Sequence, residues 1–159
     1  MKASPTLTNN LQAVLADLIE LHIQGKQAHW NIVGTNFRDL HLQLDEIVDA
    51  ARQFADDTAE RMRALHALPD GRSATVAEST SLAQFPEGLI STKDAIDRIV
   101  AALEAAVGTM RKVHDEVDEE DPTSADLLHE FIARLEQFAW MVQAENMKPT
   151  ASVTAADSK

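Results

Sequence analysis

The chain has 159 residues, 45% of them hydrophobic, with no cysteine and a formal net charge of −12. That length suits one domain with a real core, and the lack of thiols excludes disulfides and thiolate-bound metals. The acidic balance disfavours a nucleic-acid groove built from the body of the domain, because phosphate binding needs clustered Lys and Arg; it suits cations better.

No apolar stretch approaches the roughly 20 residues needed to cross a bilayer. The first twenty residues lack the basic start and apolar run of a secretory signal, so a cytoplasmic location is expected. Residues 1–8 read as a short extension. Thr8, Asn9 and Asn10 offer an N-cap, and Leu11, Val14, Leu15, Leu18 and Ile19 then recur at helical spacing towards His29 and Trp30, predicting a first helix over about 9–32. After a turn at VGTN (33–36), Phe37, Leu40, Leu44, Ile47, Val48, Ala51 and Ala55 predict a second helix to about Leu65. LPDGRS (68–73) breaks it, and TVAEST suggests a short helix inside a long connection. Ser91 and Asp94 form a capping box for a third helix marked by Ile96 to Val117 and ending near Asp118. Pro122 bars continuation, Thr123 or Ser124 can cap again, and Leu127 to Val142 mark a fourth helix, whose Trp140 is expected in the core. From Lys148 onward the apolar period is lost, so 148–159 are expected to form a mobile tail after a 9–147 domain. Four long helices without a convincing strand predict an all-α four-helix bundle, with a short extra helix in a crossover long enough to span it.

Metal-ligating residue types gather between 29 and 60: His29, His41, Asp45, Asp56 and Glu60. One metal cannot join them within a chain, because a rise of about 1.5 Å per residue sets Glu60 roughly 28 Å from His41 on one helix. His29, across the turn, belongs with His41 and Asp45, while Asp56 and Glu60 belong at the other end. If two copies of the second helix pack antiparallel about a two-fold axis, residue i faces residue j wherever i + j is constant. The numbers obey this, since 41 and 60, and 45 and 56, both sum to 101. The axis would pass between Ala50 and Ala51, whose small side chains would allow close approach, and each dimer would hold two equivalent interfacial sites. Imidazole and carboxylates without thiolate favour a harder transition metal such as iron, and few ligands leave positions open for an oxidant. Glu-x-x-His pairs, used by single-chain di-iron bundles, are absent.

These residues also carry a family resemblance. HWN..G..F..LH...D followed by D..AER (Asp56 to Arg61) resembles the ferroxidase signature of the Dps family, ferritin-like DNA-protection proteins of starved bacteria, and TSADLL (123–128) and LEQFAW (135–140) extend the likeness over nearly the whole chain. The resemblance implies a ferritin-like hollow homododecamer that oxidises Fe(II), preferably with hydrogen peroxide, and stores the ferric product inside. It assigns His29, His41 and Asp45 to one subunit and Asp56 and Glu60 to its dimer mate, with Trp30 as an aromatic neighbour that is oxidised in place of released radicals. Plain core packing is the alternative for Trp30. His22, His66, His114 and His129 read as ordinary surface or core histidines.

The densest acidic run is DEVDEEDPTSAD (115–126). Its acids would favour the fourth helix's N-terminus through the macrodipole. The resemblance implies instead that carboxylates here, Asp126 and less securely Asp121, line three-fold pores that concentrate Fe(II). DNA binding is doubtful, because the terminal segments offer only Lys2, Lys148 and Lys159. Two other classes stay open beside the iron-oxidising cage: a nucleoid protein with weak tail-mediated binding, and a metal-dependent amide or ester hydrolase using the same site to activate water.

Overall fold

The computed structural model describes residues 1–150 of the chain. Four long helices dominate it: α1 (Pro5–Asn31), α2 (Phe37–Ala64), α4 (Thr92–Glu120) and α5 (Pro122–Ala144), with the short α3 (Ser73–Ser79) in the crossover. Two two-residue strands, β1 (Ile32–Val33) and β2 (Ile90–Ser91), pair in parallel, with Ile32 opposite Ile90. The sequence pattern did not foresee them. They are too short to show a period, and they exist because α1 ends where α4 begins.

Hydrogen bonds at the two ends define the topology. At one end Ala3 donates its N–H to the Leu65 carbonyl (2.9 Å), and Ser4 donates its N–H to Glu120 (2.7 Å). At the other, Thr92 Oγ1 reaches the Thr35 carbonyl (2.8 Å) and Asn36 reaches Glu145 (3.0 Å). The start of α1 therefore lies beside the ends of α2 and α4, so α1 runs antiparallel to both. α5 then returns alongside α1's direction. Since α2 and α4 point the same way, the connection between them must travel the length of the bundle, as ferritin-like folds require.

The crossover buries few apolar side chains, chiefly Val76, Leu82 and Ile90, and needs other anchors. Asp17, buried on α1, anchors it by accepting from Thr80 Oγ1 (2.9 Å), from the N–H and Oγ of Ser81 (2.6 Å each) and from Thr109 Oγ1 of α4 (2.6 Å). Four donors satisfy a carboxylate that would otherwise be costly to bury. The core itself is the expected apolar stripes, with Leu18, Leu44, Ile99, Phe131 and Phe138 fully enclosed and Phe54 stacked on Phe131. Gly25 lets α1 and α2 approach closely, because a Cβ there would meet Val48 Cγ2 at 2.6 Å.

Helix ends differ from expectation in informative ways. α1 starts at Pro5, capped by the Ser4 side chain accepting from the Leu7 N–H, so Thr8, Asn9 and Asn10 are interior and Leu7 is buried in the core. Proline at the first helical position, preset in φ, is a better start than a polar triplet. α4 continues to Glu120, and α5 begins at once on Pro122, so neither Thr123 nor Ser124 is the cap; Asp121 is. Ser91 caps α4, its Oγ accepting from the Asp94 N–H (3.1 Å) and donating to the Asp94 carboxylate (2.7 Å), so the expected pair is joined through side chains. α2 closes on His66 in the left-handed region (φ 61°), with the Ala67 N–H reaching back to the Met62 carbonyl, a Schellman closure made without glycine.

Trp140 is not in the core. It is 65% exposed, because Phe138 and Val142 already face inward and a residue two positions from each is rotated to the opposite side of the helix. Residues 148–150 have no helix; the rest of the expected tail, 151–159 with Lys159, lies outside the described residues. Among the described residues, no helix is long and apolar enough to cross a membrane.

Candidate metal centre

His29 sits in the last turn of α1 and His41 in the second turn of α2, and the short β1 turn folds one back upon the other. Their rings stack with centroids 3.6 Å apart. Each binds the other's backbone: His29 Nδ1 lies 2.9 Å from the His41 carbonyl, and His41 Nδ1 lies 3.0 Å from the His29 carbonyl. A carbonyl only accepts, so both Nδ1 atoms carry the proton. Both Nε2 atoms are therefore left with a lone pair, the form in which imidazole binds metal, and each ring is held by the backbone bond that fixes its tautomer. Phe37 stacks against His41 (5.2 Å) and covers one face of the pair.

Asp45, one turn beyond His41, is gripped by Lys26 Nζ at 2.5 Å and lies 3.3 Å from His29 Nδ1. The hydrogen bond from Lys26, helped by the nearby histidines, holds its carboxyl below the usual carboxylate range. It is thus ionised and half-exposed, with an ammonium as its present counter-ion. Lys26 was missed in the sequence, although its place one turn before His29 on α1 sets it on the same face.

Asp56 and Glu60 stand far away. α2 is one unbroken 28-residue helix, so the two acids cannot fold back on His41 within the chain. Both are exposed, and among the described residues neither side chain has a hydrogen-bond or ion-pair partner. Consistently, among the described residues no three His, Asp or Glu side chains converge tightly enough to hold a metal within one chain. Ala51 is wholly buried in its own subunit, so it cannot line a contact between two copies of α2. On the outward face the central residues are instead Asp49 and Arg52, both exposed. Trp30 is 69% exposed beside His29, not core, and Val33, Phe37 and Leu42 are also exposed near the same end of the α1–α2 hairpin.

The two acids of the loop between α4 and α5 have different settings. Asp121 is buried and clamped by Arg61, whose Nη2 contacts both carboxylate oxygens (2.8 and 2.7 Å) while Nε approaches Oδ2 (3.2 Å); Ser124 Oγ donates to the same carboxylate. Burial opposes its ionisation, but the bonds from Ser124 and Arg61 outweigh this and keep its carboxyl below the usual range. Its side chain tethers the end of α2 to the start of α5. Asp126, with a side chain 85% accessible, is open to solvent.

The fold and the paired histidines at the α1–α2 turn define a ferritin-like protein, and the ferritin-like domain family matches residues 8–148. DNA protection during starvation protein 2 of Deinococcus radiodurans is 34% identical over 134 residues, covering 84% of this chain, which spans only 56% of that relative's length. The fine tangled pili major subunit of Haemophilus ducreyi is 32% identical, covering 88% of this chain and 78% of its own. Among solved structures, Dps from Microbacterium arborescens in the high iron form superposes with a TM-score of 0.85 at 35% identity, covering 92% of this chain and 98% of that one. The chain belongs to the Dps family of ferritin-like proteins.

Proposed function

We propose that this protein oxidises Fe(II) with hydrogen peroxide, or oxygen, at sites shared between two subunits and stores the ferric product inside a hollow homododecamer. The observation that carries the reading is the reciprocal pair of Nδ1–H···O=C bonds, which leaves the Nε2 lone pairs of His29 and His41 ready for a metal. Asp45 would add a carboxylate by exchanging Lys26 for the iron. Asp56 and Glu60, ionisable, exposed and unpartnered among the described residues, would complete the site from the dimer mate.

The two-fold arrangement has support beyond the ligands. Asp49 and Arg52 also sum to 101, so an antiparallel pair of α2 helices would set each aspartate opposite an arginine, twice, at the axis. The exposed Trp30, Val33, Phe37 and Leu42 supply apolar surface that a second subunit would cover. The structure of Dps from Microbacterium arborescens is a high iron form, which supports iron as the metal to test here.

In the reaction, two Fe(II) ions give one electron each to hydrogen peroxide, the O–O bond breaks, and two Fe(III) and two hydroxides result. Carboxylates, hard anionic donors, favour the ferric product and so assist the electron loss. Trp30, beside the site, would be oxidised in place of escaping radicals. Asp126 would line the route by which Fe(II) enters, whereas the Arg61 clamp on Asp121 points to a structural duty for that acid. A net charge of −12 argues against tight DNA binding by the body of the domain.

The test is anaerobic Fe(II) titration followed by peroxide, with ferric absorbance recorded beside particle mass. Rapid ferric absorbance within a particle of about twelve 17.4 kDa chains is expected. Its absence from the assembled protein, or an unchanged rate in His41→Ala, would sink the reading.

A further inference from the structure

On the opposite side of the bundle, two histidines outside the site above meet across the α4–α5 seam. His114 and His129 approach Nε2 to Nε2 at 2.7 Å, with ring centroids 4.5 Å apart. They lie in an open groove lined also by Arg111, Asp115, Ile132 and Glu136. We propose that this pair is a second metal site, one that takes a borderline transition-metal dication such as Zn(II) or Co(II) through the two Nε2 atoms.

Hydrogen-bond logic supports it. Asp115 lies 3.1 Å from His114 Nδ1, and a carboxylate only accepts, so that nitrogen carries the proton and His114 Nε2 presents a lone pair to its neighbour. Asp126 Oδ1 stands 3.9 Å from His129 Nδ1, an ion-pair rather than a hydrogen-bond distance, and favours the same tautomer there. With both Nδ1 atoms protonated, two lone pairs face each other. Either a proton held on His129 Nε2 or a cation resolves that opposition. The carboxylate–histidine–metal arrangement is the usual support for a bound dication. Bonds of about 2.0–2.1 Å at a tetrahedral centre need the nitrogens roughly 3.3 Å apart, so the pair must open by about 0.6 Å, within reach of the exposed His129 side chain.

Charge nearby does not forbid it. Among the described residues, Arg111 is the one Lys or Arg side chain lining the groove and is engaged by Glu136, and the other charged neighbour, Asp115, is an acid. Water would fill the other positions, because no third protein ligand converges here among the described residues. Such a site, on α4 and α5, uses none of the residues assigned to Fe(II) oxidation.

The experiment uses the assembled protein. Crystals soaked in zinc chloride should give an anomalous peak at the zinc edge within bonding distance of both Nε2 atoms. In solution, Co(II) titrated into wild type, His129→Ala and His41→Ala should show visible ligand-field absorption from one ion per chain that His129→Ala loses and His41→Ala keeps. His114→Ala should lose it as well. No peak between the rings, or equal Co(II) binding by His129→Ala and wild type, would mean that the pair merely shares a proton, and would overturn the proposal.

Discussion

A site split between two chains can be tested by repairing it from two broken halves. His41→Ala removes an imidazole from one half, and Glu60→Ala removes a carboxylate from the other; neither assembly alone should keep an intact site. Mixed before reassembly, the variants form heterodimers in which one site carries both lesions and its twin carries neither. Random pairing at equal amounts makes half the dimers mixed, and half the sites in those are whole, so about a quarter of wild-type sites should return under two-fold symmetry. Both substitutions lie on the exposed or half-exposed face of α2, away from the buried stripe of Leu40, Leu44, Ile47 and Val48, so folding should survive. The assay is the initial rate of ferric absorbance after peroxide, per subunit, with dodecamer confirmed by native mass for each sample. The unbroken helix between residues 41 and 60 is what makes the outcome decisive. Reassembled mixtures with no more activity than either parent would refute the shared site.

Three further outcomes follow from individual side chains. Asp121→Asn should lower stability by about 2 kcal/mol at neutral pH, below the range for a fully buried pair because Arg61 is partly exposed. Because the Asp121 carboxyl is depressed in the folded state, its contribution is fully present above the usual carboxylate range near pH 4 and is lost as pH falls through the folded value, so denaturant midpoints of variant and wild type should converge in acid. His66→Gly should raise stability by about 1 kcal/mol in urea, since glycine accepts the left-handed conformation that closes α2 at little steric cost; an unchanged midpoint would mean that the imidazole makes compensating contacts. Asp126→Asn should slow iron uptake, most at low ionic strength, without changing equilibrium Fe(II) affinity at the interfacial site, and stopped-flow traces at two salt concentrations would show whether it does.

The long helices and their crossover could be read from the chain alone, because each carries its apolar stripe over many turns and period 3.6 repeated that often is unambiguous. The division of His29, His41 and Asp45 from Asp56 and Glu60 was legible for a related reason: a helix converts residue number into distance, so spacing along α2 rules out closure within one chain. The helix starts were less legible. Thr8, Asn9 and Asn10 compete on equal terms as caps in sequence, and only the fold, which places Leu7 in the core and Ser4 beside Glu120, selects the earlier start.

Pairings between residues on different helices came from the tertiary structure, since side chains 15 to 92 positions apart on separate elements share no periodic signal. Arg61 with Asp121, Asp17 with Ser81 and Thr109, and His114 with His129 depend on which helix lies beside which. So does the tautomer of the site histidines. His29 and His41 looked like ligands by residue type and spacing, but their protonation is set by each other's backbone carbonyl, and those two carbonyls come within reach only once α1 and α2 have folded against one another.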